Sequence, residues 1–406
     1  LPGRAGFELD AGPGRLDLTP VFPEPLTWER VAAEGALDRS ALSVSLARLD
    51  AAFDGFAASM TGAVSVQSTD AGPLPAIRLT GPIEGRMMKA DVLRHWPTDF
   101  ALGARDWVRD SILDGRLSNA RLDLDIPAEA LARRALDDDH LNLSFDFTDA
   151  DVRYMSTMTP LTGLSGSAVL RGDSLSLDGA GGAIGALEID EIFVDIPRFT
   201  PKGATARFGG AGRGAVSDVL RLIDEPPLLI ASNYGLDPET FGGAGDIRFE
   251  IRRPMLRSVP PEDVGYAVTG RFSDVTAAAG YGGLELTGGQ VEIAADPQGF
   301  RADGTARLAG ALAEISWRES FGLPADQPSS EISLSALMSA RDLDRLGLPL
   351  RRYLDGAVGL EALVRERGLA FSSIDMALDL EQAAVAAPAD LWNKPAGEPA
   401  SARFAS

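Results

Sequence analysis

The sequence predicts a mainly β protein, a long antiparallel meander that curls into an elongated open trough (β-groove) and contains a few short helices. Three observations carry this prediction. Polar and apolar residues alternate in short runs along the 406 residues, which is the period of a half-buried strand. Turn signals rich in glycine separate these runs and contain 18 of the 44 glycines. No run of 18 or more apolar residues occurs, so no segment reads as a membrane-spanning helix.

The alternating runs are the predicted strands, since an antiparallel sheet with one buried face produces this pattern. They are Arg121–Ile126, Leu141–Phe147, Leu175–Leu177, Leu187–Ile189, Asp246–Ile251, Leu284–Leu286, Val291–Ile293, Ile332–Leu334 and Ile374–Leu380. The glycine-rich separators are predicted to be turns. They are Gly163–Gly166, Gly172–Asp173, Gly179–Gly185, Gly209–Gly214, Gly242–Gly245, Gly282–Gly283 and Gly288–Gly289.

Helices are predicted to be few and short. Apolar residues with a helical period predict a helix over Asp99–Leu113, and a second follows Pro127 over Ala128–Leu136. A third is predicted over Val216–Ile223, before a proline pair that ends it. Small helical turns are expected at Asp342–Leu346 and Leu350–Leu354. We expect such segments to plug or cap an open sheet.

Glycine- and proline-rich breaks predict four segments in one elongated chain, possible joints of a continuous body. They are an N-terminal strand segment (1–90), a central helix with a β-meander (91–200), a continuation of the groove with a short helix (201–325) and a C-terminal β segment (326–406).

Composition excludes several functions. The chain carries 38 basic and 59 acidic side chains, a net charge of −21, which argues against nucleic acid as a partner because phosphates need surplus Lys and Arg. Three lysines are too few for a polybasic membrane patch. Cysteine is absent, which removes disulfides, thiolate metal sites and thiol catalysis.

A search for catalytic and ligand-binding motifs finds none that is complete. Gly210–Gly214 lacks the spacing of a phosphate loop, and Gly163–Gly166 begins a nucleophile elbow without completing it, so both are interpreted as turns. Asp137–His140 lacks the spacing of a calcium loop and favours a solvated loop. His95 is expected to be a packed or capping histidine. We therefore expect no catalytic residue, no metal site and no cofactor.

The apolar face of the predicted sheet needs a cover. Either two faces close on one another, or the sheet forms an open trough whose apolar face holds an apolar guest such as a lipid acyl chain. In the trough, twelve residues would line the wall, provided that no strand slips by one residue. They are Leu122, Leu124, Ile126, Leu141, Leu143, Phe145, Phe147, Leu175, Leu177, Ile247, Phe249 and Ile251.

Several motifs between Val92 and Ile189 resemble the central segment of YhdP-type AsmA-like proteins, a group that includes the TamB-related proteins. The matching stretches are Trp96-Pro97, Ala104–Val108, Gly115–Leu122, Phe145–Tyr154, Pro160-Leu161, Gly163–Gly166 and Leu175–Ile189. Leu391–Gly397 resembles a further recurring element of that family. Met158-Thr159-Pro160 departs from it, since relatives commonly have tryptophan before the proline.

The resemblance implies a β-sheet trough in the periplasm of a Gram-negative bacterium, held in the inner membrane by an anchor that we expect before Leu1. It implies phospholipid acyl chains as ligands, outer-membrane or periplasmic proteins as further partners, and transport of phospholipids between the two membranes. A scaffold for outer-membrane biogenesis that does not transport lipid is the alternative, and an enzyme acting on envelope glycans comes third. The alternation of residues by itself leaves the first two nearly level.

Overall fold

A computed structural model describes residues 3–98, 101–278, 285–324, 326–367, 370–386 and 392–406. Strands account for 60% and helices for 12%, so the prediction of a mainly β protein with a long antiparallel meander is confirmed. The chain divides into two compact units. Unit 1 comprises Leu1–Gly210 and Arg252–Val264, and unit 2 comprises Ala211–Ile251 and Gly265–Ser406.

Unit 1 contains one antiparallel sheet in which the strands mostly follow chain order. Its strands are β1 (Arg4–Ala11), β2 (Gly14–Leu16), β3 (Leu26–Trp28), β4 (Arg30–Asp38), β5 (Ser43–Ala52), β6 (Phe56–Thr69), β7 (Gly72–Gly85), β8 (Met87–Met88), β9 (Ile112–Ile126), β10 (Leu141–Val152), β11 (Leu161–Arg171), β12 (Leu175–Ala180), β13 (Ala183–Ile184) and β14 (Leu187–Ile196). The order is β1-β4-β5-β6-β7-β9-β10-β11-β12-β14. Strands β2 and β3 form a separate pair.

Two strands, β15 (Thr205–Ala215) and β16 (Phe241–Pro254), lie where the chain passes from one unit to the other. The remaining strands belong to unit 2. They are β17 (Gly265–Ala277), β18 (Leu286–Asp296), β19 (Gly299–Leu308), β20 (Ala311–Ser320), β21 (Ser330–Ser339), β22 (Leu354–Arg367), β23 (Ala370–Asp379), β24 (Ala383–Ala386), β25 (Asn393–Lys394) and β26 (Ser401–Ala405). Eight of them form an antiparallel sheet in the order β17-β18-β19-β20-β21-β22-β23-β26.

The helices are short, and the longest in the described chain has ten residues. They are α1 (Lys89–Arg94), α2 (Leu102–Ser111), α3 (Ala128–Arg133), α4 (Val216–Ile223), α5 (Ile230–Asn233) and α6 (Ala340–Arg345), with 3₁₀ turns at Pro238–Thr240 and Pro261–Asp263. The prediction of α4 is confirmed at both ends. Helix α3 ends three residues before the predicted Leu136, because Arg134 adopts a left-handed conformation with φ of 53°. Helices α1 and α5 were not predicted.

Two of the predicted helical segments extend too far, because their last residues belong to strands in the structure. Leu113 was assigned to a helix but belongs to β9, because Ile112 already pairs with Val152 of β10. The first two residues of that predicted helix, 99 and 100, lie outside the described residues. Leu354 was assigned to a helical turn but opens β22, where it pairs with Val385.

Several glycine-rich segments predicted to be turns lie inside strands, and this prediction was wrong. Gly163–Gly166 belongs to β11, Gly209–Gly214 to β15, Gly242–Gly245 to β16 and Gly288–Gly289 to β18. Gly166 shows one physical reason, because a β-carbon there would lie 2.8 Å from Cζ of Phe147 and 2.1 Å from the carbonyl oxygen of Asp178. The absence of a side chain lets an aromatic ring and a neighbouring strand approach closely. The predicted turn at Gly282–Gly283 and Leu284 of a predicted strand lie outside the described residues.

Each unit has its own apolar cluster. In unit 1, Phe147, Ala150, Leu161, Leu164 and Ile189 are buried together. In unit 2, α6 closes a larger cluster of thirteen buried residues that includes Leu308, Leu343 and Val358. Leu343 is fully buried. Helix α6 begins with a capping box in which the backbone N–H of Asp342 donates to Oγ of Ser339 (3.3 Å), so its start is fixed locally.

Replacing Gly166 with alanine should lower the free energy of unfolding by about 1–3 kcal/mol, because the new methyl group requires the backbone of β12 and the ring of Phe147 to shift. Gly12→Ala is the matched control, since nothing lies within 4 Å of its β-carbon position, and its effect should stay within about 0.5 kcal/mol. Urea denaturation measures both. Equal midpoints for the two variants would contradict the close approach at Gly166.

Candidate functional site

An apolar row crosses the whole eight-stranded sheet of unit 2. Residues directly opposite one another in paired strands point to the same face, and the strand register connects one such residue from every strand. We call this set the floor row. It consists of Phe272, Val291, Gly304, Ile315, Leu334, Ala362, Met376 and Phe404. Seven interstrand steps of about 4.8 Å give it a length of about 34 Å.

The floor row lies in an open groove. The groove has a volume of about 1220 Å³, and its lining includes every residue of the floor row together with that residue's neighbours in the strand. One groove touches eight strands, so the sheet of unit 2 is curved across them. The floor residues share their face with the buried cluster around Leu343, since Ile315, Leu334 and Met376 pack against that cluster. Residues of the opposite face, such as Arg271, Glu292 and Asp375, also line the groove, and we infer from the buried cluster that the apolar face is the concave one.

The opposite face of the same sheet is polar and ion-paired. Arg365 donates to Glu331 at 3.2 Å and to Asp375 at 2.8 Å, and Arg271 donates to Glu292 at 3.1 Å. All of these groups alternate with the floor-side residues along their strands. Such exposed pairs contribute about 0–1 kcal/mol each, so their main effect is to keep this face hydrated.

The two sides of the groove differ. On one side the floor row passes into the buried cluster, through the row formed by Ala313, Ala336, Leu360 and Leu378. On the other side lies an aromatic group in which Trp317 makes edge-to-face contacts with Phe300 (5.2 Å between ring centroids) and with Tyr234 (6.0 Å). Tyr234 directly follows α5, so the segment before β16 contributes to this side.

Two residues beyond the Trp317 row, the concave face becomes polar. Glu319, Ser330 and Glu366 lie opposite one another on β20, β21 and β22, and we call them the carboxylate row. They are 6%, 2% and 3% exposed. Nε1 of Trp317 donates to Oγ of Ser330 at 2.9 Å, while Oε2 of Glu319 has no hydrogen-bond partner. Burial, the nearby charge of Glu319 and Tyr266 raise the pKa of Tyr234 above its usual 10.0.

Unit 1 repeats the apolar rows on its own sheet. One row crosses seven strands through Phe7, Gly35, Leu46, Gly62, Leu79, Leu124 and Leu141. A second crosses six strands through Gly81, Leu122, Leu143, Leu170, Leu175 and Ile196. Both rows lie on one face, because Leu122 and Leu124 are two residues apart in β9.

The structure brings nine of the twelve predicted lining residues to this one face of unit 1, namely those on β9, β10 and β12. These nine residues differ in how accessible their side chains are to a ligand. Ile126, Leu141 and Phe147 are buried by the protein itself, and Phe145 and Leu177 pack against the cluster that contains Phe147. The others of the nine, Leu122, Leu124, Leu143 and Leu175, are half-buried.

The remaining three predicted residues, Ile247, Phe249 and Ile251, are half-buried on β16. Their neighbours Asp246 and Arg248 are exposed, so the predicted alternation holds along this strand. That lipid contacts any of the twelve residues stays a prediction.

The two histidines lie in different environments. His95 packs edge-on against Phe53 and Phe56, and its Nδ1 lies 2.8 Å from the carbonyl oxygen of Asp91, as expected of a packed residue at a helix end. Nδ1 of His140 accepts a hydrogen bond from the backbone N–H of Asp137 at 2.9 Å. Oxygen and nitrogen atoms of Asp137, Asp139 and His140 lie within 4.8 Å of one another, yet both carboxylates are exposed, which fits the solvated loop.

Sequence reasoning missed the floor row and the carboxylate row. The alternation of Val291–Ile293, Ile332–Leu334 and Ile374–Leu380 was recognised, but the sequence does not show which residues stand opposite one another. The sequence does contain a pattern from which Glu319 of the carboxylate row could have been predicted. In β20 every second residue from Ala311 to Trp317 is apolar, and Glu319 is the next position on that face.

Among the residues that the structure describes, no helix is long and apolar enough to cross a membrane. The family model described as "YhdP protein" matches residues 4–405, which extends the resemblance from the central segment to nearly the whole chain. No curated protein and no solved structure matches the chain.

Replacing Glu319 with glutamine should lower the pKa of Tyr234, because a nearby negative charge disfavours the tyrosinate. The pKa should remain above 10.0, since burial of the ring persists. An absorbance titration of tyrosinate measures the shift, and Tyr234→Phe identifies the transition. Glu331→Gln, on the opposite face, is the matched control and should leave the titration unchanged. An unaltered Tyr234 transition in Glu319→Gln would contradict the placement of that carboxylate.

Proposed function

The chain belongs to the YhdP family, and on this premise we propose that it is a periplasmic section of a lipid conduit. Family membership suggests a role in lipid transport and envelope biogenesis. In our proposal the chain holds phospholipid acyl chains on its concave apolar face and takes part in moving phospholipids between the inner and outer membranes. An anchor elsewhere in the protein holds it in the inner membrane.

The floor row is the observation that supports this proposal. A continuous apolar row of about 34 Å is longer than an acyl chain, which occupies about 15 Å in one leaflet of a bilayer. Each methylene that moves from water onto such a surface gains about 0.8 kcal/mol. Because neighbouring positions along the row are chemically alike, a chain that shifts by one strand exchanges one apolar contact for another. Firm binding and sliding are therefore compatible.

Exposure of apolar side chains on this face also supports a guest. Phe404 in the floor row is 52% exposed, and Val291, Ile315, Leu334 and Met376 are half-buried. Apolar side chains that remain accessible along one row are available to an apolar ligand. The polar, ion-paired convex face supplies the hydrated surface that a section of protein in an aqueous compartment needs.

The proposed mechanism requires binding surfaces rather than chemistry, so we propose that the chain is not an enzyme. Lipid headgroups would lie outside the apolar floor row, at the polar side of the groove. Outer-membrane or periplasmic proteins are the class of further partner that we propose.

A structural scaffold is the second candidate, and one observation favours it. In unit 1, Phe147 belongs to a buried cluster, and the half-buried Phe145 and Leu177 pack against it. If the apolar faces of both units filled in this way, the chain would bind partner proteins and no lipid.

Replacing Leu334 in the floor row with aspartate should lower the amount of bound phospholipid at least about tenfold, because a charge in the groove removes the apolar contacts of two or more methylenes. Leu337→Asp is the matched control, since Leu337 lies on the opposite face of the same strand, is 58% exposed and is not part of the groove lining, and this variant should retain lipid. The chain is produced in a Gram-negative periplasm, and bound lipid is measured by native mass spectrometry after gentle purification. Leu143→Asp and Ser144→Asp form the same pair in unit 1.

A photo-crosslinking amino acid at position 334 or 337 provides an independent readout in cells. We expect phospholipid adducts from position 334 and none from position 337, which is not part of the groove lining. Wild-type protein that is compact, stable and free of lipid, with no adduct from either position, would refute the conduit and leave the scaffold.

A further inference from the structure

The carboxylate row is an unusual feature of the concave face of unit 2. Glu319 and Glu366 are more than nine-tenths buried, and Oε2 of Glu319 has no hydrogen-bond partner. Within the described part of the chain, neither carboxylate has an Arg, Lys or His at ion-pair distance; the nearby Arg365 pairs with Glu331 and Asp375 on the other face. A buried carboxylate without a partner is costly unless a cationic group is bound there.

The geometry indicates where such a group would sit. Glu319 and Glu366 lie on the same face, one strand to either side of Ser330, so their Cα atoms are about 9.6 Å apart. The side chains of both glutamates therefore flank Ser330. Oγ of Ser330 accepts one hydrogen bond from Trp317 and, as a hydroxyl oxygen, has a second lone pair.

The chemistry of the surroundings favours an organic ammonium over a metal ion. The rings of Trp317 and Tyr234 lie next to the row, and aromatic faces attract ammonium groups through cation–π interactions. Calcium requires six to eight oxygen ligands, whereas this row offers two carboxylates and one hydroxyl beside an indole. A primary ammonium has three N–H donors, which match those three oxygen-bearing side chains.

The distance from the floor row indicates the kind of molecule. Glu319 lies four residues beyond Ile315 on β20, which is about 14 Å along the strand. A lipid whose acyl chains occupy the floor row would thus present a headgroup near the carboxylate row. We propose that the carboxylate row binds the primary ammonium of an ethanolamine phospholipid headgroup while the acyl chains of the same lipid lie along the floor row. This inference rests on the proposed lipid-binding function.

The test measures headgroup preference separately from total lipid. Purified protein is incubated with vesicles of equal amounts of phosphatidylethanolamine and phosphatidylglycerol, re-isolated, and its bound lipids are quantified by mass spectrometry. Wild type should be enriched in the ethanolamine lipid. The double variant Glu319→Gln, Glu366→Gln should bind the same total lipid with that preference reduced about tenfold, which corresponds to about 1.4 kcal/mol. Glu331→Gln, an isosteric change on the convex face, should keep the wild-type ratio.

A second measurement needs no variant and so does not depend on folding of the double mutant. Wild type is offered phosphatidylethanolamine together with its N-acetylated form, which lacks the positive charge, and should prefer the charged lipid. If wild type binds no lipid, the proposed function fails together with this inference. If lipid is bound and the headgroup ratio is the same in wild type and the double variant, only the carboxylate-row inference fails. If calcium alone raises the melting temperature of wild type but not of the double variant, the row is a metal site and the ammonium assignment is wrong.

Discussion

The shared register of neighbouring strands is the constraint on which the other features of this protein depend. Side chains alternate between the faces of a strand, so a slip of one residue would move every side chain of that strand to the other face. The register nevertheless keeps eight apolar-side positions in line from Phe272 to Phe404 in unit 2, and seven from Phe7 to Leu141 in unit 1. Long strands help, since β9 has fifteen residues and β22 has fourteen, and each adds many backbone hydrogen bonds that would be lost by slipping.

Glycine has a part in this constraint that the sequence alone did not reveal. Gly304 lies within the floor row, and Gly35 and Gly62 lie within the long row of unit 1. At Gly35 the ring of Phe7 would be 2.8 Å from an added β-carbon, so the aromatic ring occupies the space that the missing side chain leaves. The ring of Phe7, on the neighbouring strand, thus covers the glycine position and keeps the surface of the row apolar there. Glycines that look like turn signals are in these cases part of the sheet surface.

The fold class could be predicted because it depends on local signals. The period of two is visible in Leu122, Leu124 and Ile126, and helix α4 has clear limits set by its glycine and proline neighbours. The groove could not be predicted to the same extent, because it depends on which residues stand opposite one another. That pairing is set by bulges, such as the register shift between Phe272 and Val275, and by interactions between distant residues. The resemblance to a known family indicated the fold, but most of its motifs lie between Val92 and Ile189 in unit 1, whereas the open groove lies in unit 2.

A uniform apolar track has a chemical consequence for a protein that handles lipids. Acyl chains of different phospholipids are alike, so a surface that contacts only these chains discriminates little between headgroups. Selectivity requires polar groups, yet a charge placed within the floor row would interrupt the path along which the chains lie. The structure separates the two requirements along the strands. In β20 the apolar position Ile315 lies on the floor, Trp317 follows on the same face, and Glu319 comes only after the aromatic ring. In the proposed lipid complex, the buried carboxylates would thus be close enough to meet a headgroup and far enough from the floor to leave the apolar row continuous.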